Sequence, residues 1–289
     1  MKKVLVLGST GMLGSAVVDA LQEKGHEVIT ASRSTGMKFD AVTLDTEKLL
    51  TAASLQKGDF VINCVGLTKS RIYEASMASR SMAVKLNIDF PNELARAAEK
   101  LGVKIIQVAT DCVFRGLAGG YSEGSAHDAL DVYGKTKSLG ETPSPNVMHL
   151  RCSLIGPEIG SSSLFFEWVR QQPINAQIYG YTNHLWNGLS SRAFGKVVSG
   201  IIREDLFESS VQHLVPSDEV TKDELVRLEL FALGRDNVQV TSKEAEHPID
   251  RTLVTDRTGF NKQLFLAAGY EKIPTIQEMV LEACMNLPN

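Results

Sequence analysis

The chain has 289 residues, of which 43% are hydrophobic and 22% are charged. These proportions are those of a globular protein, and they exclude disordered, collagen-like and low-complexity chains. The formal charge is -4, from 30 basic and 34 acidic residues, so the basic excess of a nucleic-acid-binding protein is absent. No apolar run is long enough to span a bilayer, and the N-terminal residues show no signal-peptide pattern. The sequence therefore predicts a cytoplasmic protein without membrane insertion.

The cysteines are spaced too far apart to suggest a paired structure. No CxxC pair occurs, and no histidine stands at the spacing of a metal ligand. This pattern predicts reduced thiols and no metal site. The four residues are Cys64, Cys112, Cys152 and Cys284.

The first half of the chain alternates short apolar strands with amphipathic helices. The predicted strands are 4–7, 27–31, 60–64, 103–109 and 147–151, and the predicted helices are 12–24, 73–100 and 133–141. We expect the long helix to bend at Pro91, which lacks a backbone donor. Apolar strands that alternate with helices predict an α/β fold, a Rossmann-type doubly wound parallel sheet with helices on both faces.

The second half has a looser rhythm and predicts a smaller C-terminal lobe. Segments 160–163 and 180–188 have loop composition, whereas 164–170 and 190–203 read as helices. A strand at 211–215 is expected to return to the main sheet, and two capping boxes start later helices, Thr221 with Glu224 and Thr275 with Glu278. The predicted dinucleotide-binding domain is 1–156 plus about 189–216, and the predicted substrate-binding lobe is 157–188 and 217–289.

A glycine-rich turn joins the first strand to the first helix. Gly8 permits a tight turn, Gly11 lets the backbone approach a pyrophosphate, and Gly14 allows close packing of the helix. The helix N-terminus offers unpaired N–H groups to phosphates. The turn predicts a dinucleotide site, with a packing turn that binds no ligand as the alternative. The predicted contacts are Gly8, Thr10, Gly11, Met12 and Leu13.

The end of the second strand indicates which dinucleotide binds. An acidic residue there would hold the ribose hydroxyls of NAD, but this chain has Ser32 and Arg33. A small hydroxyl followed by a cation suits the 2′-phosphate of NADP. The sequence therefore predicts NADP(H), and a solvated surface arginine is the alternative.

Further cofactor contacts are predicted where later strands end. Asp45 and Thr46 are expected to end the third strand, where the carboxylate of Asp45 can accept from the adenine amino group or instead cap the next helix. The fourth strand ends at the sheet edge where open α/β sheets bind ligands. The residues predicted there are Cys64, Val65 and Gly66.

A phenol and an ammonium group stand four residues apart on a predicted helix, at Tyr133 and Lys137. They therefore share one helix face, and a cation near a phenol favours the phenolate. Thr110 ends the predicted central strand and should face the same cleft, where its hydroxyl can bond to a substrate oxygen. This combination predicts a catalytic group, and a purely structural Tyr and Lys is the alternative.

The chain resembles a known family, the extended short-chain dehydrogenase/reductases, and within it the dTDP-4-dehydrorhamnose reductase branch. The likeness is carried by GSTGMLG from Gly8, ATDCVF from Ala109, DVYGKTKSLGE from Asp131 and LRCSLIGPE from Leu150. It covers essentially the whole chain and is tighter in the first half. The family's catalytic Thr, Tyr and Lys fall on Thr110, Tyr133 and Lys137.

Two features depart from that branch. Cys112 stands where dTDP-4-dehydrorhamnose reductases usually carry Tyr, and the loop GYTNHLWNG resembles reductases of other 4-keto-6-deoxy sugars. A UDP-linked N-acetylated 4-keto-6-deoxy sugar is therefore an alternative substrate.

The resemblance implies that substrate lies between the Rossmann domain and the C-terminal lobe. Side chains that can stack on a sugar or base, or read polar edges, are candidates there, although Trp186 can equally anchor its loop and Phe114 can belong to the core. The candidates are Cys112, Val113, Phe114, Asn183, Trp186 and Asn187. Four cations are either diphosphate partners or solvated charges: Lys69, Arg71, Arg192 and Arg251.

The resulting prediction is NADPH-dependent reduction of the C4 keto group of a nucleotide-linked 4-keto-6-deoxyhexose. Tyr133 would protonate the alkoxide, Lys137 would lower the pKa of Tyr133 and hold the ribose, and Thr110 would donate to the oxygen. One alternative is an epimerase or dehydratase that retains NAD, but no extra acid–base pair is apparent near Thr110. Another is a non-catalytic regulatory subunit, because the branch resembles the β subunit of methionine adenosyltransferase. A homodimer is left open.

Overall fold

The structure, a computed structural model, describes residues 2–43, 45–158, 164–285 and 287. Its strands are β1 (Lys3–Leu7), β2 (Glu27–Ser32), β3 (Met37–Lys38), β4 (Phe60–Asn63), β5 (Lys104–Thr110), β6 (Val147–Cys152), β7 (Leu154–Ile155), β8 (Gln177–Tyr181), β9 (His184–Trp186), β10 (Leu189–Ser190), β11 (Val211–His213), β12 (Val220–Thr221), β13 (Gln239–Lys243) and β14 (Ile249–Asp250). Its α-helices are α1 (Met12–Glu23), α2 (Thr46–Ala52), α3 (Met77–Val84), α4 (Phe90–Leu101), α5 (Val132–Leu139), α6 (Phe165–Arg170), α7 (Ser191–Arg203), α8 (Lys222–Ala232), α9 (Thr258–Ala267) and α10 (Ile276–Met285). The predicted loop at 160–163 lies outside these described residues.

Among the described residues, a sheet of seven parallel strands has the order β11-β6-β5-β4-β1-β2-β3. The chain proceeds from β1 in both directions, which is the arrangement of a doubly wound dinucleotide-binding sheet. The predicted fold class is therefore confirmed. The register pairs Leu7 with Asn63 and Thr110 with Cys152, so the carboxyl ends of these strands share one edge of the sheet.

Helices cover both faces of the sheet because each buried strand is apolar on both sides. In β1, Val4 and Val6 pack with residues of α1, α7, α9 and α10, whereas Leu5 and Leu7 pack with residues of α2 and α4. All four side chains are fully buried. This is the pattern expected of a strand that lies between two helical layers.

The predicted helix at 73–100 begins later than expected. Helix α3 starts at Met77 because the Ser76 hydroxyl caps it by accepting the Ser79 N–H. A π-helical segment (Lys85–Asp89) then joins α3 to α4, directly before Pro91. Pro91 has no N–H group to donate to the preceding turn, so the wider turn falls where the α-helical bond is lost.

The prediction of a loop at 180–188 is wrong. The segment contains the end of β8 and all of β9, separated by a turn at Thr182 and Asn183. β8 pairs with β13, and β9 pairs with β12 and β14. Polar side chains are tolerated in these strands because every second residue of β8 is exposed.

Three predictions for the second half are confirmed. β11 pairs with β6 and so returns the chain to the main sheet. Thr221 and Glu224 form the capping box that starts α8, and Thr275 and Glu278 make the same two hydrogen bonds at α10. No helix of the described residues is long and apolar enough to cross a membrane.

Candidate active site

A cleft of about 650 Å³ opens at the carboxyl edge of the sheet. Its walls are the first turn of α1, the ends of β4, β5 and β6, one face of α5, and the start of α6. The predicted site residues that line it are Gly11, Met12, Leu13, Cys64, Val65, Gly66, Thr110, Cys112, Tyr133 and Lys137. Three of the free cysteines, Cys64, Cys112 and Cys152, also lie in these walls.

The glycine turn has the geometry that a diphosphate requires. Gly8 has a φ of +75°, and a Cβ atom on Gly14 would overlap the Gly8 carbonyl oxygen. A Cβ on Gly11 would meet only an ordinary contact at 3.5 Å, so the protein's own packing does not demand glycine there. No side chain caps α1, and the N–H groups of Met12 and Leu13 have no acceptor among the described residues. These N–H groups at a helix N-terminus form an anion site.

The turn after β2 lies beside the glycine turn, because the Gly8 N–H donates to the Ala31 carbonyl oxygen at 2.9 Å. The Ser32 hydroxyl donates to the Thr35 carbonyl oxygen and accepts the Thr35 N–H, both at 2.8 Å. Ser32 therefore shapes the turn, and its contact with the phosphate stays a prediction. Arg33 is exposed and makes no hydrogen bond or ion pair within the described ranges, so its phosphate contact stays a prediction.

The expectation that Asp45 and Thr46 end the third strand is wrong. β3 ends at Lys38, and Asp45 caps α2 by accepting the N–H groups of Glu47 and Lys48. Thr46 is buried and its hydroxyl donates to the Glu93 carbonyl oxygen at 3.4 Å. Of the two roles predicted for Asp45, the structure shows the helix cap. Thr10, also predicted to contact the cofactor, is exposed in the glycine turn.

Helix α5 brings Tyr133 and Lys137 to the cleft together. It begins at Val132 because Asp131 caps it, accepting the Gly134 N–H at 2.8 Å. One helical turn separates the phenol from the ammonium group, and the Lys137 Nζ donates to the Val108 carbonyl oxygen of β5 at 2.8 Å. Thr110, at the end of the same strand, lies next to Tyr133 in the cleft wall.

The electrostatics of Tyr133 differ from the expectation. Burial raises the pKa of Tyr133 above its usual value, because the phenolate would lose its hydration, and a hydrogen bond with the Thr110 side chain offsets this only in part. Burial outweighs any lowering of this pKa by Lys137, so the effect predicted for Lys137 stays a prediction. Burial also lowers the pKa of Lys137 itself. A buried phenol that stays protonated at neutral pH is a proton donor.

Asn87 is a buried residue of this site that the sequence analysis missed. Its side chain accepts the Leu67 N–H at 2.8 Å and donates to the Thr136 hydroxyl at 3.1 Å. It thereby holds the cleft wall near Leu67 against α5. Asn87 lies in the π-helical segment before Pro91, and its partners Leu67 and Thr136 lie 20 and 49 residues away in the sequence.

Asp111 is the second residue that was missed, although it stands within the quoted motif ATDCVF. Its carboxyl group is 8% exposed, lines the cleft, and lies 3.2 Å from the Thr110 hydroxyl oxygen. Asp111 therefore adds one titratable group beside Thr110, where the sequence suggested no extra acid–base pair. A carboxylate at the carboxyl end of a central strand was the available signal.

Several predicted substrate residues do not line the cleft. The side chain of Asn183 donates through its Nδ2 to the Ala245 carbonyl oxygen and accepts the Ala245 N–H at its Oδ1. The side chain of Asn187 makes the same two hydrogen bonds with the Leu253 backbone. Trp186 is buried and its indole N–H donates to the Ser153 hydroxyl at 2.8 Å, so it anchors its segment. These side chains connect parts of the C-terminal half to one another.

Val113 and Phe114 lie in the core and do not line the cleft. Both are fully buried in a small cluster with Leu253, and the Phe114 ring stacks on Tyr121 at 4.3 Å between ring centres. The chain turns inward after Cys112, so only Cys112 of this trio reaches the cleft.

The seven-stranded parallel sheet and the cleft at its carboxyl edge define an α/β protein with a doubly wound sheet. The chain belongs to the RmlD substrate binding domain family, whose family model matches residues 1–152. The resemblance to the dTDP-4-dehydrorhamnose reductase branch is thereby confirmed.

Two curated relatives show how far the sequence similarity extends. A probable low-salt glycan biosynthesis reductase of Haloferax volcanii is 31% identical over 177 residues, covering 57% of this chain and 58% of the relative. The methionine adenosyltransferase 2 subunit beta of Rattus norvegicus is 30% identical over 142 residues, covering 48% and 42%. The chain thus spans about half the length of the curated relatives it matches.

A solved dTDP-4-dehydrorhamnose reductase of Bacillus anthracis, in complex with NADP, is similar over the whole fold. It superposes with a TM-score of 0.79 and covers 99% of this chain and 100% of its own, at 17% identity. At that identity the likeness shows the fold alone.

Proposed function

We propose that this protein is an NADPH-dependent reductase of the C4 keto group of a nucleotide-linked 4-keto-6-deoxyhexose. The observation that carries the proposal is one cleft with an uncapped helix N-terminus at one end and Thr110, Tyr133 and Lys137 in its walls. The first feature suits a dinucleotide diphosphate, and the second suits proton transfer to a carbonyl oxygen. Membership of the family supports the same reading.

The residues of the chain divide the chemical work. When bound, NADPH supplies a hydride to the carbonyl carbon. The N–H groups of Met12 and Leu13 hold the diphosphate, and Lys137, fixed by the Val108 carbonyl oxygen, holds the ribose. Tyr133, which burial keeps protonated, gives its proton to the oxygen that becomes the product hydroxyl, and Thr110 donates a hydrogen bond to the same oxygen.

The cofactor preference rests on Arg33, the exposed cation beside the glycine turn. We expect NADPH to bind at least about tenfold more tightly than NADH, because the 2′-phosphate gains a charge-assisted contact. Titration of nicotinamide fluorescence measures both constants. Arg33→Ala should remove most of the difference, and Arg96→Ala, a change of an exposed arginine on α4, should not.

Turnover tests the substrate class. NADPH oxidation is followed with dTDP- and UDP-linked 4-keto-6-deoxy sugars, the latter with and without a 2-acetamido group. We expect one of these sugars to be reduced with one NADPH consumed per product. Tight NADPH binding with no turnover of any of them would contradict the proposal.

Two alternative functions are each supported by one observation. Asp111 adds an acid–base group that an epimerase or dehydratase could use, and NAD that stays bound through gel filtration would favour that function. The similarity to methionine adenosyltransferase 2 subunit beta favours a regulatory subunit. Stable association with a purified methionine adenosyltransferase catalytic subunit, together with absent reductase activity, would support that alternative.

The division of labour along the chain is part of the proposal. Residues 1–156 and about 189–216 would bind the cofactor, and 157–188 and 217–289 would form the substrate lobe. The return of β11 to the main sheet supports this division. The cytoplasmic location and a homodimer stay predictions.

A further inference from the structure

Asp111 is a carboxyl group in the cleft wall to which the proposed mechanism gives no role. It follows Thr110 directly at the end of β5 and is almost fully buried. Its Oδ1 lies 3.2 Å from the Thr110 Oγ1, which is hydrogen-bond distance. A hydroxyl carries one proton and two lone pairs, so its neighbours decide where the proton points.

The hydrogen bonds of Thr110 depend on the state of Asp111. The Cys112 N–H donates to the Thr110 Oγ1 at 3.2 Å and occupies one lone pair. While the Asp111 carboxyl is ionised, the Thr110 O–H donates to it, and the lone pair that remains faces the cleft on the side of the Tyr133 hydroxyl. Once the carboxyl is protonated, it donates to the second lone pair, and the Thr110 proton is left for the cleft.

The surroundings of Asp111 have opposing effects on the ionisation of its carboxyl group. Burial raises the pKa of Asp111, whereas the positive charges of Arg251 and Lys222 lower it. Both cations come from the C-terminal half of the chain, and the Lys222 Nζ lies 4.4 Å from the centre of the Phe165 ring in the cleft wall. The titratable or charged side chains that face Asp111 are Arg251, Lys222, Cys112, Tyr133 and Cys152.

We propose that Asp111 is a positioning residue that directs the Thr110 hydroxyl, turning its proton into the cleft when the carboxyl is protonated and away from it when ionised. Asp111 acts on the keto oxygen only through Thr110. The inference rests on the proposed function, because only a carbonyl oxygen in the cleft needs a donor from Thr110.

Two substitutions of Asp111 test the proposal by their difference. Asp111→Leu keeps the size but leaves the Thr110 O–H with no neighbour to direct it, and we expect kcat to fall about tenfold while KM for NADPH stays within about twofold. Asp111→Asn can donate an amide N–H to the Thr110 Oγ1, so its kcat should return to within about threefold of the wild type. An Asn variant as slow as the Leu variant overturns the proposal.

A double-mutant cycle shows whether Asp111 works through Thr110. In a Thr110→Ala background, Asp111→Leu should change kcat by less than about twofold, because the hydroxyl that it directs is gone. If the fall in kcat of the double variant equals the product of the falls in the two single variants, the proposal is overturned. Glu123→Gln is the matched control. The Glu123 carboxylate accepts the Thr255 hydroxyl at 2.6 Å but does not line the cleft, so the kcat of this variant should be unchanged.

A titration without substrate separates this proposal from the proposed function. Carbon-13 NMR of the Asp111 carboxyl is recorded against pH for the wild type and for Thr110→Ala. Loss of the Thr110 hydroxyl should raise the pKa of Asp111, because that hydroxyl stabilises the carboxylate. An unchanged midpoint overturns the inference even if no sugar nucleotide is ever turned over.

Discussion

The Lys69 ammonium lies 2.7 Å from the Asp131 carboxylate, and this ion pair ties the cleft wall to the cap of helix α5. Glu74, which follows this wall in the chain, accepts the N–H of Val132 at 3.1 Å. Asp131 therefore has two functions, since it starts the helix that carries Tyr133 and holds the segment facing it.

Removal of the cap should affect catalysis beyond its effect on stability. For Asp131→Ala we expect a loss of about 1 kcal/mol in the free energy of unfolding and a fall in kcat of at least about tenfold, because the first turn of α5 shifts. Ser190→Ala removes the matching cap of α7, away from the cleft, and should lose similar stability at unchanged kcat. Urea unfolding and steady-state kinetics measure both. Equal kcat values in the two variants would contradict the prediction.

Tyr133→Phe removes the proposed proton donor and little else. Because general acid catalysis typically contributes 10²–10⁴-fold, we expect kcat to fall at least about a hundredfold. The dissociation constant of NADPH should stay within about twofold, as measured by nicotinamide fluorescence. Tyr179→Phe, a change of an exposed tyrosine on β8, is the control and should keep full activity. Full activity in Tyr133→Phe would refute the assignment.

Two glycine-to-alanine changes, one next to the glycine turn and one in α9, should have opposite effects on stability. A Cβ on Gly14 would overlap the Gly8 carbonyl oxygen, so Gly14→Ala should displace the turn, weaken NADPH binding at least about tenfold and lower stability by roughly 1–3 kcal/mol. Gly259 lies in α9 with open space around its Cβ position, so Gly259→Ala should stabilise the protein by about 0.5–1 kcal/mol. NADPH titration and thermal unfolding distinguish the two. Tight NADPH binding by Gly14→Ala would count against the diphosphate site.

Glu229 makes stability fall as pH rises. Burial raises its pKa to about 9 from 4.5, only partly offset by Lys222, and neither carboxyl oxygen has a hydrogen-bond partner among the described residues. Between these pH values the folded state keeps a proton that the unfolded state releases, so the free energy of unfolding decreases with pH.

Glu229→Gln should therefore unfold at a higher temperature than the wild type, by a margin that grows from pH 5 to pH 8. The amide carries no charge to desolvate, so the pH-dependent part of the destabilisation disappears. Exposed Glu244 provides the control, because Glu244→Gln should show no such trend. Thermal unfolding at several pH values gives the margin. A margin independent of pH would show that Glu229 is not held protonated.

Local signals in the sequence were enough to predict the sheet and the glycine turn that borders the cleft. The apolar run of β1 and the glycines after it act within a few residues of one another. The four-residue spacing of Tyr133 and Lys137 places them on one helix face whatever surrounds them. Parallel strands share one carboxyl edge, so Thr110 could be expected in the same cleft before its neighbours were known.

The residues that were misassigned are those whose partners lie far away in sequence. The amides of Asn183 and Asn187 bond to backbone groups more than 60 residues later, at Ala245 and Leu253, and no local pattern reveals this. β8 likewise pairs with β13, which begins at Gln239. The raised pKa of Tyr133 depends on burial, which spacing along a helix does not report.

Transfer of deuterium from NADPH that carries deuterium in place of both C4 hydrogens of the nicotinamide tests the central claim most directly. The labelled cofactor is incubated with the protein and a nucleotide-linked 4-keto-6-deoxy sugar, and the product is read by mass spectrometry and NMR. The account predicts one deuterium at C4 of the sugar for each NADPH consumed, and almost none with Tyr133→Phe. A product that carries no deuterium, or an unchanged keto sugar beside bound NADPH, would contradict it.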